Sequence, residues 1–188
     1  MKLSGKQKLY DTFTRLIQES IYSDITIKDF IKEAKVNRNT FYYHFTDMDS
    51  FLKEYLDDAV CFNMRKLIIE NKLSLAYNLL IDYVKDHKKI FINIMQADKG
   101  RDVVDYSFHT SIRMDIQKIL YDYEPLLKIH LPDEFMVYYA HSIADEYMRA
   151  IERQIYDNTS PELMKKVFVL YAEEISSKLV RVSKLNLG

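Results

Sequence analysis

The chain has 188 residues, enough for one or two domains with a substantial core. Its 27 Lys and Arg stand against 28 Asp and Glu, a formal charge of -1, so no globally basic surface advertises a nucleic-acid binder and any such role must be local. The single cysteine, Cys61, excludes an internal disulfide, no basic-then-apolar leader pattern is read, and no apolar run approaches bilayer length, which together predict a cytoplasmic protein and no membrane partner.

Glycine occurs only at positions 5, 100 and 188 and proline only at 125, 132 and 161, too few breakers for the tight turns of a sandwich or barrel, so the expected fold class is all-α. Leu9, Phe13, Leu16, Ile17 and Ile21 share one helical face and predict a first helix over about 1–22. Thr26, an N-cap candidate with Asp29 three residues on, opens a second over 26–34, striped by Ile27, Phe30, Ile31 and Ala34. A third follows over 37–45. Thr46 and Asp49 introduce a fourth over 47–70, with Phe51, Leu52, Tyr55, Leu56 and Ala59 on its apolar face.

Leu75, Leu79, Leu80, Tyr83, Val84 and His87 stripe the next helix, and a short one spans 88–96. Asp98, Lys99 and Gly100 read as a break, after which 102–123 is helical until Glu124 and Pro125; His130 to Asp133 form a second break. Met136, Tyr139, Ala140, Ile143, Tyr147, Ala150 and Ile151 then line a helix over 133–157, whose alanines permit close approach by a neighbour. Ser160 as N-cap and Pro161 at the first helical position open the last helix, over 161–184, striped by Met164, Val167, Phe168, Tyr171, Ile175, Leu179 and Val182. These last two read as the longest of about nine helices, and no internal repeat is present.

Two short helices at 26–34 and 37–45, joined by about three residues, have the arrangement of a helix-turn-helix. In the second, Phe41 and Phe45 are spaced to pack inward with Val36, which leaves Arg38, Asn39, Thr40, Tyr42, Tyr43 and His44 at its start or on its outer faces. That set suits double-stranded DNA. Arginine forks onto guanine and asparagine onto adenine in the major groove, while hydroxyl, phenol and imidazole groups donate to phosphates. Local charge agrees, because residues 1–45 hold eight basic residues against five acidic ones inside a chain that totals -1. Thr26 and Lys28, at the start of the preceding helix, complete the candidate DNA-binding set.

The run "IKDFIKEAKVNRNTFYYHFTDMDSFL" behind Thr26 resembles the DNA-binding signature of the TetR family of bacterial transcription regulators, in a match covering about the first 56 residues. Thr26, Ala34, Val36, Thr40, Tyr42, His44, Phe45 and Leu52 carry it in fixed register. Three positions depart. The family commonly has alanine at Ile31, glycine at Lys35 and lysine at Met48, so Lys35 is expected in a left-handed conformation. Because the family lysine is a phosphate contact, Met48 implies weaker electrostatic binding, or compensation by Lys6, Lys28 or Lys35.

The resemblance implies a helix-turn-helix DNA-binding domain over 1–46 and a helical regulatory and dimerisation domain over 47–188. It further implies a homodimer joined through its last two helices, with two heads on half-sites of a palindromic operator and a small-molecule effector that shifts their separation. The expected role is that of a repressor. The alternative is a co-regulator acting through a partner protein with weak or no DNA binding. Candidate effector contacts between 60 and 150 are Phe62, Tyr83, Phe91, Met95, Phe108, Met114 and Tyr139, with His109 and His141 as polar contacts.

Other chemistry has little to stand on. His141 and Asp145 at i, i+4 beside Glu146 lack a closing ligand set and read as a solvated helix face, so no metal is expected. Cys61 reads as packing, and neither a phosphate-cradling glycine loop nor a serine elbow is found. No cofactor and no enzymatic activity are expected.

Overall fold

A computed structural model describes residues 4–70, 72–127 and 131–183. Within them the chain is all-α, and no strand is formed among the described residues. Helices α1 (Gly5–Leu16), α2 (Ile27–Glu33) and α3 (Arg38–His44) make an N-terminal head, with a short 3₁₀ turn at Tyr22–Asp24. Helix α4 (Met48–Leu56) passes through one π turn (Asp57–Cys61) directly into α5 (Phe62–Ile69). The body continues with α6 (Leu73–Asp86), α7 (Lys88–Met95), α8 (Asp98–Leu127), α9 (Asp133–Tyr156) and α10 (Pro161–Ser183). With α4 and α5 taken as one rod, nine helical rods are described. Among the described residues, no helix is long and apolar enough to cross a membrane.

Local chemistry explains most of the boundaries. Ser4 caps α1 by accepting from the Gln7 amide, Thr26 caps α2 from Asp29, and Ser160 caps α10 from Leu163. The fourth helix is capped one residue later than its sequence suggests. Asp47, not Thr46, accepts from the Ser50 amide, and Ser50 Oγ in turn accepts from the Asp47 amide, while Asp49 instead accepts from the Tyr22 hydroxyl at 2.7 Å.

Helix α2 ends in a Schellman arrangement, with the Lys35 amide on the Lys32 carbonyl and the Val36 amide on the Ile31 carbonyl, both at 3.2 Å. Lys35 there takes φ 52°, the left-handed conformation expected from the absence of a glycine. Val36 and Ile31, the apolar pair that accompanies this turn, both pack against the core.

Several expected boundaries and faces move. Helix α1 stops at Leu16 rather than reaching 22, because the amides of Gln18, Glu19 and Ser20 turn back onto Arg15 and Leu16. Gly100 does not break the chain. Helix α8 begins at Asp98, and a Cβ at position 100 would fall on the Ile94 carbonyl, so the glycine lets α8 start hard against the end of α7. Pro125 lies inside α8, in its last turn, where a missing N–H costs a single bond. At 30 residues α8, rather than either of the last two helices, is the longest described. In α6 the buried face is Ala76, Tyr77, Leu80, Ile81 and Val84; Leu75 is exposed, because α5, α9 and α10 all pack on the other side.

Helices α9 and α10 follow their expected stripes, with Met136, Ala140, Ile143, Tyr147 and Ile151 buried on one and Met164 and Phe168 on the other. The stripe positions Ile175, Leu179 and Val182 lie outside the described side chains, and His130, Gly188 and Lys2 lie outside the described residues.

The left-handed backbone at Lys35 carries a measurable cost. Lys35→Gly is expected to raise the unfolding free energy by about 1 kcal/mol, seen as a higher urea midpoint at unchanged slope. A lower midpoint would show that the lysine side chain contributes more than its strain removes.

Candidate nucleic-acid interface and interior polar sites

Helix α3 is set by what it buries. Phe41 and Phe45 point inward at 0% and 2% exposure, onto a cluster formed by Phe13, Phe30 and Phe51. Asn37, which precedes α3, caps it by accepting from the Thr40 amide at 2.7 Å, a role the sequence reading did not assign. With one face fixed, the seven-residue helix turns all but Phe41 and the half-buried Thr40 to solvent.

Arg38, Asn39, Tyr42, Tyr43 and His44 are all exposed, Tyr43 at 84%. The Arg38 guanidinium lies over the Tyr42 ring, 5.3 Å from its centroid, so the cation is oriented before any partner arrives. Tyr43 and His44 meet edge to face at 4.9 Å.

Two members of the expected set are partly committed elsewhere. Thr40 is half-buried, its hydroxyl reaching Asn37 Oδ1 at 3.1 Å, and its methyl faces α1, where a Cβ on Gly5 would lie 2.5 Å away. The Thr26 hydroxyl bonds the Asp29 carboxylate at 2.7 Å. Lys28 is exposed, as are Lys32 and Lys35.

Met48 is half-buried and packs against the core, so no cation stands at that position. Lys6, one expected compensator, is held by Glu54 at 2.6 Å and Asp58 at 2.8 Å.

The candidate effector contacts do not converge. Phe91, Met95 and Phe108 are buried core, Tyr83 is stacked on His87, and Tyr139 is stacked on Phe135. Phe62, Met114 and His141 are exposed. His109 reaches Asp145 Oδ1 at 3.0 Å with its ring 5.3 Å from that of His141, but no group of three potential metal ligands forms among the described residues. Glu146 is instead tied to Arg149 at 2.9 Å. Cys61 is buried, and burial pushes its thiol up to about 11, an unreactive packing residue.

A feature the sequence reading passed over lies between α4–α5 and α8. Ser107, Ser111 and Asp115, spaced by four, put a polar stripe on the buried side of α8 opposite the π turn. Arg65 forks onto Asp57 at 2.7 and 2.8 Å and also donates to Ser111 Oγ at 3.2 Å. Ser107 Oγ and Asp115 Oδ2 are buried without a hydrogen-bond partner. The stripe was available as a signal, since three polar residues at i, i+4 and i+8 interrupt an otherwise apolar face of a helix.

A small helix-turn-helix head carried on a larger helical body is the architecture these elements define. Among solved structures, a TetR-family transcriptional regulator from Syntrophomonas wolfei is similar with a TM-score of 0.71 at 16% identity, covering 98% of each chain. The dihydroxyacetone kinase operon activator DhaS is similar with a TM-score of 0.66 at 19% identity, covering 93% of this chain and 98% of that one. The chain therefore has the TetR-like fold that its N-terminal signature resembles. No family model matches the chain, and no curated protein does.

Burial gives Asp115 a pH signature. It pushes the carboxyl up to about 7, against a weaker opposing pull from Arg65. From about pH 4, where an unfolded aspartate titrates, to about pH 7, the folded state holds a proton that the unfolded chain has released, so stability falls as pH rises by up to about 1.4 kcal/mol per unit. Asp115→Asn is expected to flatten that slope in urea titrations between pH 4 and 7 and to be more stable than wild type at pH 8. An unchanged slope would remove Asp115 as its source.

Proposed function

We propose that this chain is a DNA-binding transcriptional regulator that acts as a homodimer on a palindromic operator and represses until a small-molecule effector binds. The observation that carries this reading is helix α3, whose buried Phe41 and Phe45 hold Arg38, Asn39, Tyr42, Tyr43 and His44 outward together. On this reading Arg38 and Asn39 contact base edges, and Tyr42, Tyr43 and His44 contact phosphates, with Thr26, Lys28 and Thr40 at the margin. Residues 1–46 form the DNA-binding domain and 47–188 the regulatory and dimerisation domain. The protein works in the cytoplasm, and no catalytic role is assigned to it.

Support for a dimer comes from the outer faces of the last two helices. Val137 and Tyr138 on α9 and Leu163, Val169 and Leu170 on α10 are exposed, Tyr138 at 73% and Leu170 at 61%. A two-fold pairing through these faces would bury them and set two heads at half-sites one helical turn apart or a multiple of it.

Met48 favours a second reading, in which the chain works through a partner protein and binds DNA weakly. No cation stands at that position, Lys6 is tied to two carboxylates, and the similar structure named as DhaS is an activator.

Fluorescence anisotropy with the gene's own upstream DNA, beside a scrambled duplex and at two salt concentrations, separates the two. Binding near 10⁻⁸ M with a large ratio over the scrambled duplex supports the regulator. Equal, weak and steeply salt-dependent binding to both duplexes, or none, supports the partner reading.

Arg38→Ala is expected to cost roughly 1 to 3 kcal/mol on the operator and to flatten base preference at one position per half-site. Unchanged preference in a base-substitution series would take Arg38 out of base reading. Tyr42→Phe is expected to weaken all duplexes about equally, because a phosphate contact carries no sequence information. A loss confined to the operator would instead assign the tyrosine to the bases.

A further inference from the structure

Between α4 and α8 lies a cleft of about 510 Å³ whose rim holds Lys53, Tyr106 and Met114 and whose wall includes Ser107, Thr110 and Arg65. Its walls are mainly apolar, with Tyr106 at 56% and Met114 at 54% exposure at the mouth. The π turn Asp57–Cys61 forms part of the same region, and such turns distort a helix at local energetic cost.

The polar groups of the cleft are unevenly committed. Each carboxylate on its wall already meets a cation of the protein, Asp57 with Arg65 at 2.7 Å and Glu54 with Lys6 at 2.6 Å. Lys53, in contrast, forms no ion pair among the described residues and rests over the Tyr106 ring, 4.2 Å from its centroid. Deeper in, Ser107 is nine-tenths buried and its Oγ has no hydrogen-bond partner. A buried hydroxyl left unpaired carries a desolvation penalty that a ligand oxygen would offset. The groups with capacity to spare are therefore an ammonium and a hydroxyl donor above an apolar, aromatic wall.

We infer that this cleft binds a small organic carboxylate, with its carboxylate oxygens between Lys53 and Ser107 and its apolar body against Tyr106 and Met114. A cation would meet only carboxylates already paired, and a neutral ligand would leave the Lys53 ammonium to water. The assignment deepens the proposed function, since it gives the effector a chemical class. It also gives the effector a route to the head: Lys53 is carried by α4, whose Phe51 and Tyr55 are part of the head core.

Isothermal titration of the purified full chain with benzoate, hexanoate, benzamide and benzylammonium, without DNA, tests the class. The expected result is saturable binding of one or both carboxylates and at least tenfold weaker binding of benzamide and benzylammonium. Lys53→Met is expected to weaken carboxylate binding roughly tenfold or more, as loss of a charge-assisted hydrogen bond predicts. Ser107→Ala should also weaken it, and thermal melts establish that both variants are folded. Equal binding of acid and amide, tighter binding of the ammonium, no binding of either carboxylate, or indifference to both substitutions would overturn the assignment. Because DNA binding is read separately by anisotropy of the unliganded chain, failure here and failure of the operator reading are distinguishable outcomes.

Discussion

The Phe51 ring is where the head and the body become one structure. It is fully buried and lies 5.1 Å from Phe13 of α1, 4.9 Å from Phe30 of α2, and 6.4 and 5.1 Å from Phe41 of α3 and Phe45 at its C-terminal end. Short helices of seven residues have little stability of their own, so α2 and α3 exist because their aromatic faces close on this ring. Edge-to-face packing of Phe51 on Phe13, Phe30 and Phe45, with a stacked contact to Phe41, adds to the burial of each ring and restricts how α3 can turn. The outward residues of α3 hold one register for that reason. That outer surface is specified from behind.

Phe51 belongs to α4, and α4 continues without interruption through the π turn into the body. Its capping box at Asp47 and Ser50 fixes where the rod begins, and the Tyr22 hydroxyl on Asp49 ties the 3₁₀ turn of the head to its first turn. A second fastening lies on the other side, where Asn93 of α7 donates to the Ile17 carbonyl at the end of α1 at 2.7 Å. The head is thus held at two places rather than tethered by a linker. A displacement of α4 against α8 must carry the aromatic cluster with it, because packed aromatic cores transmit movement more readily than they deform.

What the sequence displayed and what it concealed follow from the same physics. Periodicity and capping residues located the helices of the head and most of their inward residues, although the first ends at Leu16 rather than 22, because each short helix there has one apolar face. Lys35 stood out as a non-glycine at a turn, and its φ of 52° follows from the Schellman geometry that α2 needs to end where it does. The body was harder to read. Gly100 and Pro125 look like breakers in isolation, yet one admits a close helix contact and the other falls in a last turn. Packing of α5, α9 and α10 against α6 buried Leu80 and Val84 of its expected stripe, added Ala76, Tyr77 and Ile81, and left Leu75 outside. Of the apolar residues offered for a pocket, Phe91, Met95 and Phe108 lie in the core and Phe62 on the surface, while Met114 borders the cleft between α4 and α8, since size and hydrophobicity do not distinguish a wall from an interior. The polar stripe of α8 was the more informative pattern, because a buried hydroxyl or carboxyl requires a reason that a buried leucine does not.

Electrostatics bear on how such a head could act. The exposed cations that it retains are few, chiefly Lys28, Lys32, Lys35 and Arg38, while Lys6 and Arg15 are spent on Glu54, Asp58 and Glu33. Counterion release scales with the number of phosphates neutralised, so a head with so few cations gains little non-specific affinity. On the proposed reading, discrimination must then come from base contacts and from the spacing of two heads, and both depend on the angle at which α4 presents the aromatic cluster. A regulator of weak electrostatic grip is also one whose binding is easily undone by a small change in that angle, since each half-site contributes a similar increment and losing one removes the advantage of the pair. The scarcity of charge in the head and the placement of Lys53 on the helix that supports it are consistent with control by geometry rather than by competition for phosphate.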